Sequence, residues 1–242
     1  MTQAQNKGFA LITGASTGIG ATYADRLAKR GYGLILVARD LNRLEQLAAR
    51  LRQDYSVPVE VIQADLTVSS DLARVEQQLR NNDQITMLVN NAGGAGDLQP
   101  LVNLSDHAFD EAMKWNVYST FWATRRALPT MIAKGDGRVI NISSMTGLVA
   151  NPPNAYYSST KFALEALTEA LSKEVAPLGI KVTAIEPGAF RTDWAARSMQ
   201  ESSTPIGDYD EDRLIAAMVG REVSSLYPEV HRDAGVPMLR VR

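Results

Sequence analysis

The stretch Gly8-Phe-Ala-Leu-Ile-Thr-Gly-Ala-Ser-Thr-Gly-Ile-Gly20 decides how the chain is read. Gly8 to Thr13 is a short continuous apolar run, as expected of a parallel strand buried on both faces. It feeds a turn carrying Gly14, Gly18 and Gly20, after which Ala24, Leu27 and Ala28 recur at helical spacing until Gly31. Glycines let a backbone turn tightly and come close to a pyrophosphate, while the helix N-terminus offers free N–H groups and a positive dipole. The spacing is G-x-x-x-G-x-G rather than the commoner G-x-G-x-x-G. A strand, a glycine turn and a helix in this order point to nucleotide binding.

The same alternation continues. Strands are expected at Gly33 to Val37, Val59 to Ala64, Ile85 to Val89, Gly137 to Ile142 and Ile180 to Ile185. Between them, helices are expected from Asp40 to Asp54, from about Ser70 to Leu79, and from Ser105 or Asp106 to about Ala133, with Pro129 bending or ending the last part. A further helix covers 154–175, with Asn154 as its N-cap. Alternating strands and helices mean an α/β fold, a doubly wound parallel sheet with right-handed crossovers. We expect one domain over 1–242, with a cofactor-binding and catalytic core at 8–190 and a substrate lid and shortened tail at about 191–235. Residues 191–212 are polar and read as a mobile loop, Leu214 to Leu226 as a helix, and Val236 to Val241 as a short last strand.

Composition narrows the function. The chain has 242 residues, 45% hydrophobic and 21% charged, as suits an ordinary globular protein with ample core. A formal charge of −2 without a basic cluster argues against nucleic acid or an anionic membrane as partner. There are no cysteines, which excludes disulfides, thiolate metal sites and cysteine nucleophiles. His107 and His231 show no metal-ligand pattern, so no metal is expected. The N-terminal residues lack the apolar core of a signal peptide and no apolar run is long enough to span a bilayer, so a cytoplasmic location is expected.

The chemistry is expected in Asn141 to Lys161, where a strand crosses a Gly/Pro/Asn-rich loop into a helix. Tyr157 and Lys161 stand four apart, on one helix face and about 5–6 Å apart at Cβ. A phenol titrates near about 10, too high for acid–base work at neutral pH. An ammonium one turn away favours the phenolate and should lower that value. Ser144 ends the strand loop and can place a hydroxyl beside the phenol, with adjacent Ser143 as the fallback. Phenol, ammonium and hydroxyl suit proton exchange with a carbonyl or alcohol oxygen.

The cofactor's sugars have their own candidates. Asp40 would accept from a ribose 2′-OH and favour NAD, whereas Arg39 would pair with a 2′-phosphate and favour NADP. Arg39 is one residue nearer the strand end, so NADP (as NADPH) is expected over NAD. Asp65 at the tip of the third strand, with Leu66 after it, is placed to meet the adenine amino group. Asn90-Asn91-Ala92-Gly93 ends the fourth strand with small residues that leave room for a ribose.

These pieces together resemble the short-chain dehydrogenase/reductase family over roughly residues 8–193. Thr13-Gly14-Ala15-Ser16-Thr17-Gly18-Ile19-Gly20 is similar to its cofactor turn, and Asn90-Asn91-Ala92-Gly93 to its strand-four motif. Ser144, thirteen residues before Tyr157, matches its Ser…Tyr-x-x-x-Lys arrangement, and Ala38-Arg39 its NADP users. Pro187-Gly188-Ala-Phe-Arg-Thr192 is similar to the segment whose threonine contacts the nicotinamide amide. The resemblance implies a Rossmann fold with strand order 3-2-1-4-5-6-7. It implies Tyr157 as general acid/base, and Lys161 lowering its pKa and holding the nicotinamide ribose. It further implies Ser144 on the substrate oxygen and Asn116 anchoring a water that relays protons. The two long helices at 105–133 and 154–175 would pair copies into a homodimer or homotetramer. The tail is about one helix shorter than usual in the family.

The reading is therefore an oxidoreductase acting on a ketone, a secondary alcohol or a 3-oxoacyl-type substrate. Met145, Leu148, Val149, Pro152, Pro153, Ala189, Trp194 and Met199 would line an apolar pocket. A non-catalytic NADP-binding sensor or scaffold is the alternative, and a full Asn116/Ser144/Tyr157/Lys161 set argues against it. A methyltransferase would explain the glycine turn but not the Tyr/Lys pair or Asn90 to Gly93.

Overall fold

The computed structural model describes residues 7–96 and 98–188, all within the first of two units into which the chain divides, Met1–Glu201. Its first half comprises β1 (Phe9–Thr13), α1 (Gly18–Ala28), β2 (Gly33–Ala38), α2 (Leu41–Tyr55), β3 (Val59–Gln63), α3 (Ser69–Asn81) and β4 (Ile85–Asn90). The second comprises α4 (Asp106–Met113), α5 (Ser119–Lys134), β5 (Gly137–Ile142), α6 (Ala155–Val175) and β6 (Ile180–Ile185). The six strands pair in parallel in the order β3-β2-β1-β4-β5-β6, so the Rossmann arrangement stands. The seventh strand, the 191–212 loop and the Leu214 to Leu226 helix lie outside the described residues. Among the described residues no helix is long and apolar enough to cross a membrane.

The central strands β1, β2 and β4 are almost wholly apolar because both their faces are covered. Ala10, Ile12, Leu34, Leu36 and Val89 pack with Ala24, Leu27, Leu44, Leu47 and Leu51 of α1 and α2. The alternate residues Leu11, Ile35, Val37, Leu88 and Val139 pack with Val75, Leu79, Ala123, Ala127 and Met131 of α3 and α5. Burying each such leucine or isoleucine contributes roughly 1.5–3 kcal/mol. The order of strands reverses between β1 and β4, and ligands of such sheets bind outside the carboxyl ends of the strands at that point.

The expected 105–133 helix is one path in three pieces. Ser105 caps α4 by accepting from the Ala108 N–H at 3.2 Å, and α4 ends at Met113. Lys114–Tyr118 then forms a π-turn before α5 begins. The Asn116 side chain donates to the Ala112 carbonyl at 3.1 Å, competing with the backbone ladder where the turn widens. Pro129 does not end α5, which runs on to Lys134 and stops at Gly135 with φ of 65°. Ala127 and Met131, buried on either side of the proline, hold the helix on the sheet through it. Asn154 occupies the N-cap position of α6 but makes no side-chain cap.

A buried polar chain ties the sheet to the two helices beside it. Asn90 Nδ2 donates to Thr124 Oγ1 and to Asn141 Oδ1, both at 2.9 Å. Asn141 Nδ2 donates to Thr168 Oγ1 at 2.9 Å, and Thr168 Oγ1 to the Leu164 carbonyl at 2.7 Å. The chain joins β4, β5, α5 and α6 with groups that would be costly to bury unpaired. Asn141→Ala should therefore lower stability by about 2 kcal/mol in urea unfolding; a loss below about 0.5 kcal/mol would show that the network adds nothing beyond packing.

Candidate active site

The turn after β1 is shaped by its neighbour across the switch point. Gly14 has φ of 63°, and a Cβ there would lie 2.8 Å from Asn91 Nδ2. Asn91 Nδ2 donates to the carbonyls of Thr13 and Gly14, both at 3.0 Å. Thr13 Oγ1 receives the N–H groups of Asn91 and Ala92, both at 3.0 Å. The tips of β1 and β4 are thus one unit. Gly18 has φ of 56° with open space where its Cβ would stand. Thr17 begins α1 without any side-chain cap, so the helix N-terminus keeps its donors for an anion. Ser16, half-buried, and Thr17, exposed, belong to this turn, while Ile19 packs partly on the core. These residues fit a dinucleotide pyrophosphate.

On the β2–β3 side, Asp40 caps α2 by accepting from the Arg43 N–H at 3.1 Å and pairs with the Arg43 guanidinium at 3.1 Å. Arg39 is two-thirds exposed, with the Asp65 carboxylate 4.0 Å away. Asp65 Oδ1 receives the Thr67 N–H and hydroxyl at 3.0 and 2.8 Å, leaving Oδ2 facing Arg39. Leu66 is buried in the core, so only its main chain is available to a ligand.

The β5–α6 side carries the expected chemistry. Ser144 begins a single 3₁₀ turn, Met145–Gly147, and its Oγ accepts from Thr146 N and Oγ1 at 3.2 and 3.0 Å. Its hydroxyl is close enough to the Tyr157 phenol to lower the phenol's pKa. Ser143 Oγ is instead buried beside Gly147 without a hydrogen-bond partner, so the register favours Ser144. Lys161 is buried, donates from Nζ to the Ile142 carbonyl at 3.0 Å, and lies 5.6 Å from the Tyr157 ring centroid. Asn116 Oδ1 accepts from Gly94 N, and Asn116 Nδ2 donates back to the Gly94 carbonyl, both at 3.0 Å. A Cβ on Gly93 would stand 2.6 Å from Asn116 Oδ1 and 3.5 Å from Lys161 Nζ, so Asn116, Gly93 and Lys161 share one corner. Pro187 and Gly188 adjoin the turn that follows Ser144, since the Met145 N–H donates to the Pro187 carbonyl at 3.2 Å. Thr192 lies outside the described residues.

One electrostatic expectation is corrected. The Tyr157 pKa is raised, chiefly by burial, and the group that pulls it down is Ser144, not Lys161. The reason is geometric: Lys161 sits over the ring and points at Ile142, and burial pushes its own pKa down to about 8 while Glu165 pushes it up. Glu165, one turn further along α6 with Oε1 buried and unpartnered, is absent from the expected set, as is Trp115. Both lie beside recognised motifs, but only the fold shows which way they face. Among the described residues no cluster of three or more potential metal ligands occurs.

Residues 8–203 match the short chain dehydrogenase family. A short-chain dehydrogenase from Sphingobium yanoikuyae in complex with NADPH is 39% identical with a TM-score of 0.77, covering 88% of this chain and 83% of that one. The bulky-bulky ketone specific alcohol dehydrogenase from Comamonas testosteroni is 37% identical with a TM-score of 0.74, covering 88% and 82%. The 3-oxoacyl-[acyl-carrier-protein] reductase of Aquifex aeolicus is 31% identical over 216 residues, 86% of this chain and 87% of that protein.

A lysine whose folded pKa lies near 8, below its ordinary 10.5, makes folding less favourable at every pH where the unfolded chain keeps it charged. That penalty is complete below about 8 and fades as pH rises towards 10.5. Lys161→Met should accordingly raise stability at pH 7 by about 2 kcal/mol, with the gain shrinking by pH 10, while turnover is lost. Urea unfolding at the two pH values tests this, and a destabilised variant at pH 7 refutes it.

Proposed function

The chain belongs to the short-chain dehydrogenase family, and on that premise we propose that it moves a hydride between NADP(H) and a ketone or secondary alcohol, with Tyr157 as general acid and base. The observation that carries the reading is the meeting of Ser144, Tyr157 and Lys161 beside Gly93 and Asn116 at the carboxyl edge of β4 and β5. When bound, the nicotinamide supplies or accepts the hydride. The chain's residues manage the proton. A phenol whose pKa is raised by burial is protonated at neutral pH and ready to donate to a carbonyl oxygen. With a substrate bound, the Ser144 hydroxyl beside the phenol turns its proton to that oxygen, orients it and steadies the charge developing on it. In the oxidation direction Tyr157 must first lose its proton, and the Ser144 hydroxyl favours that loss by lowering the phenol's pKa against the effect of burial. Asn116 holds Gly94 and Gly93 against this corner and so sets where a nicotinamide ribose can lie.

NADP is the preferred cofactor in this reading. Asp40, the residue that would select NAD, is engaged as the α2 cap and with Arg43, whereas Arg39 stays exposed. The Sphingobium relative is itself bound to NADPH. The substrate carries apolar substituents: Met145, Leu148 and Val149, beside Ser144, are 60%, 59% and 56% exposed, a wall suited to hydrocarbon. The ketone-specific Comamonas relative and the 3-oxoacyl reductase of Aquifex agree with a ketone of that kind. Exposed Phe121 on α5 and Phe162 and Leu167 on α6 provide apolar surface for a homodimer or homotetramer.

Tyr157→Phe is the decisive variant. Its kcat for NADPH-dependent ketone reduction should fall by about 10³-fold, read as loss of NADPH absorbance, while NADPH affinity stays within about threefold. A variant that keeps most of its turnover would refute Tyr157 as the proton donor.

A further inference from the structure

The proton chemistry above gives Glu165 no task, although it stands one turn beyond Lys161 on the same helix, α6. The residue is half-buried, but Oε1 is closed off from solvent and has no hydrogen-bond partner. Ser143 Oγ is buried and unpartnered as well. The two meet at Gly147, in the 3₁₀ turn after β5. A Cβ there would lie 2.9 Å from Ser143 Oγ, 3.2 Å from Glu165 Cγ and 3.1 Å from the Lys161 carbonyl oxygen. A side chain at this position would press on all three, so hydroxyl and carboxylate share one small space behind a glycine. The end of β5 thus reaches both charged residues of the helix. The Ile142 carbonyl accepts from Lys161 Nζ at 3.0 Å, and the next residue's hydroxyl borders the Glu165 side chain.

The two helix residues have complementary deficits. A buried carboxylate oxygen without a donor destabilises the fold unless another charge offsets it. Lys161 is buried with a neutral carbonyl as its acceptor. Around it, the π-turn brings the Asn116 amide and the loop after β4 brings Gly93, and neither titrates. Tyr157 is its titratable neighbour on α6 besides Glu165. Of the elements packed against α6, α4 carries Asp106, His107, Asp110 and Glu111. The π-turn carries Lys114 and Tyr118, and β6 carries Lys181. All of these are exposed or half-exposed. Among the described residues, the charge that acts on Lys161 is that of Glu165.

We propose that Glu165 is a positioning residue for the reaction, its carboxylate seated behind Gly147 as the counter-ion that holds Lys161 as an ammonium. Ser143, with its hydroxyl unengaged at the same glycine, is the donor available to that carboxylate. An ammonium has three N–H groups where the neutral amine has two. One goes to Ile142, and the charged form leaves two for the corner where a Cβ on Gly93 would stand 3.5 Å from Nζ. Glu165 acts through Lys161 and so sets how far into alkaline pH that corner keeps its full set of donors. The proposal rests on the reading of the site given above and adds to it the residue that governs its charge.

Lysine enriched with an NMR-active carbon at Cε reports the protonation of Nζ in the full chain, with Lys161→Met identifying the resonance. In the parent Lys161 should titrate at about 8. Glu165→Gln should lower that midpoint, a loss of about tenfold in proton affinity. Glu165→Asp keeps the charge and should stay within about threefold of the parent. In NADPH-dependent ketone reduction, the alkaline limb of kcat/KM should move to lower pH together with the midpoint. An unmoved midpoint in Glu165→Gln overturns the proposal, and a turnover loss equal at every pH would then mark a merely structural role. A lowered midpoint with an unmoved alkaline limb overturns the positioning role. A parent without ketone reduction counts against the proposed function, while the lysine titration still decides whether Glu165 is the counter-ion. If Glu165→Gln does not fold, the double variant with Lys161→Met decides. Recovery of the fold supports the pairing, and an unfolded double variant overturns it.

Discussion

The reciprocal pairing of the Asn116 amide with the Gly94 backbone is the contact on which the site depends. One side chain satisfies both the N–H and the C=O of a loop residue, at 3.0 Å each, while 1% exposed. A buried loop backbone needs such partners, because water cannot supply them. The same amide donates into its own helix at Ala112, and the helix answers with the Lys114–Tyr118 π-turn. From this one arrangement follow the direction of Trp115, the closeness of Gly93 to Lys161, and the need for glycine at both positions.

Around that contact the molecule places charged and polar groups where a core would ordinarily be apolar. Lys161 is buried with a carbonyl as its acceptor, and Glu165 Oε1 and Ser143 Oγ are buried without partners. Burial disfavours the ionised forms of Tyr157 and Lys161 alike. Such placements destabilise a fold and are tolerated where chemistry uses them. In the Asn90–Asn141–Thr168 chain, equally buried, the amide donors of both asparagines are met although Asn90 Oδ1 has no partner, and the chain holds α5 and α6 to the sheet.

The sequence carried the fold because the signals were local. Continuous apolar runs mark strands covered on two faces, and the 3.6-residue rhythm marks the helices between them. Gly14, Gly18 and Gly20 announce a turn that no other residue can make as cheaply. Ser144, Tyr157 and Lys161 were legible because their spacing is a property of one loop and one helix. The six-strand order was implied by the family that the motifs resemble, and right-handed parallel crossovers are compatible with it.

What the tertiary structure decided were relations between elements distant in the chain. Lys161 was expected to acidify Tyr157 because the two are one turn apart, but where an ammonium points depends on which carbonyl waits for it, here Ile142 on another element. Asp40 and Arg39 looked like rivals until the start of α2 claimed Asp40 as its cap. The contact of Trp115 with Arg39 and Gly94 was invisible because a π-turn shifts the register that helical spacing assumes. Periodicity records which face a residue takes on its own element; only packing determines what that face meets.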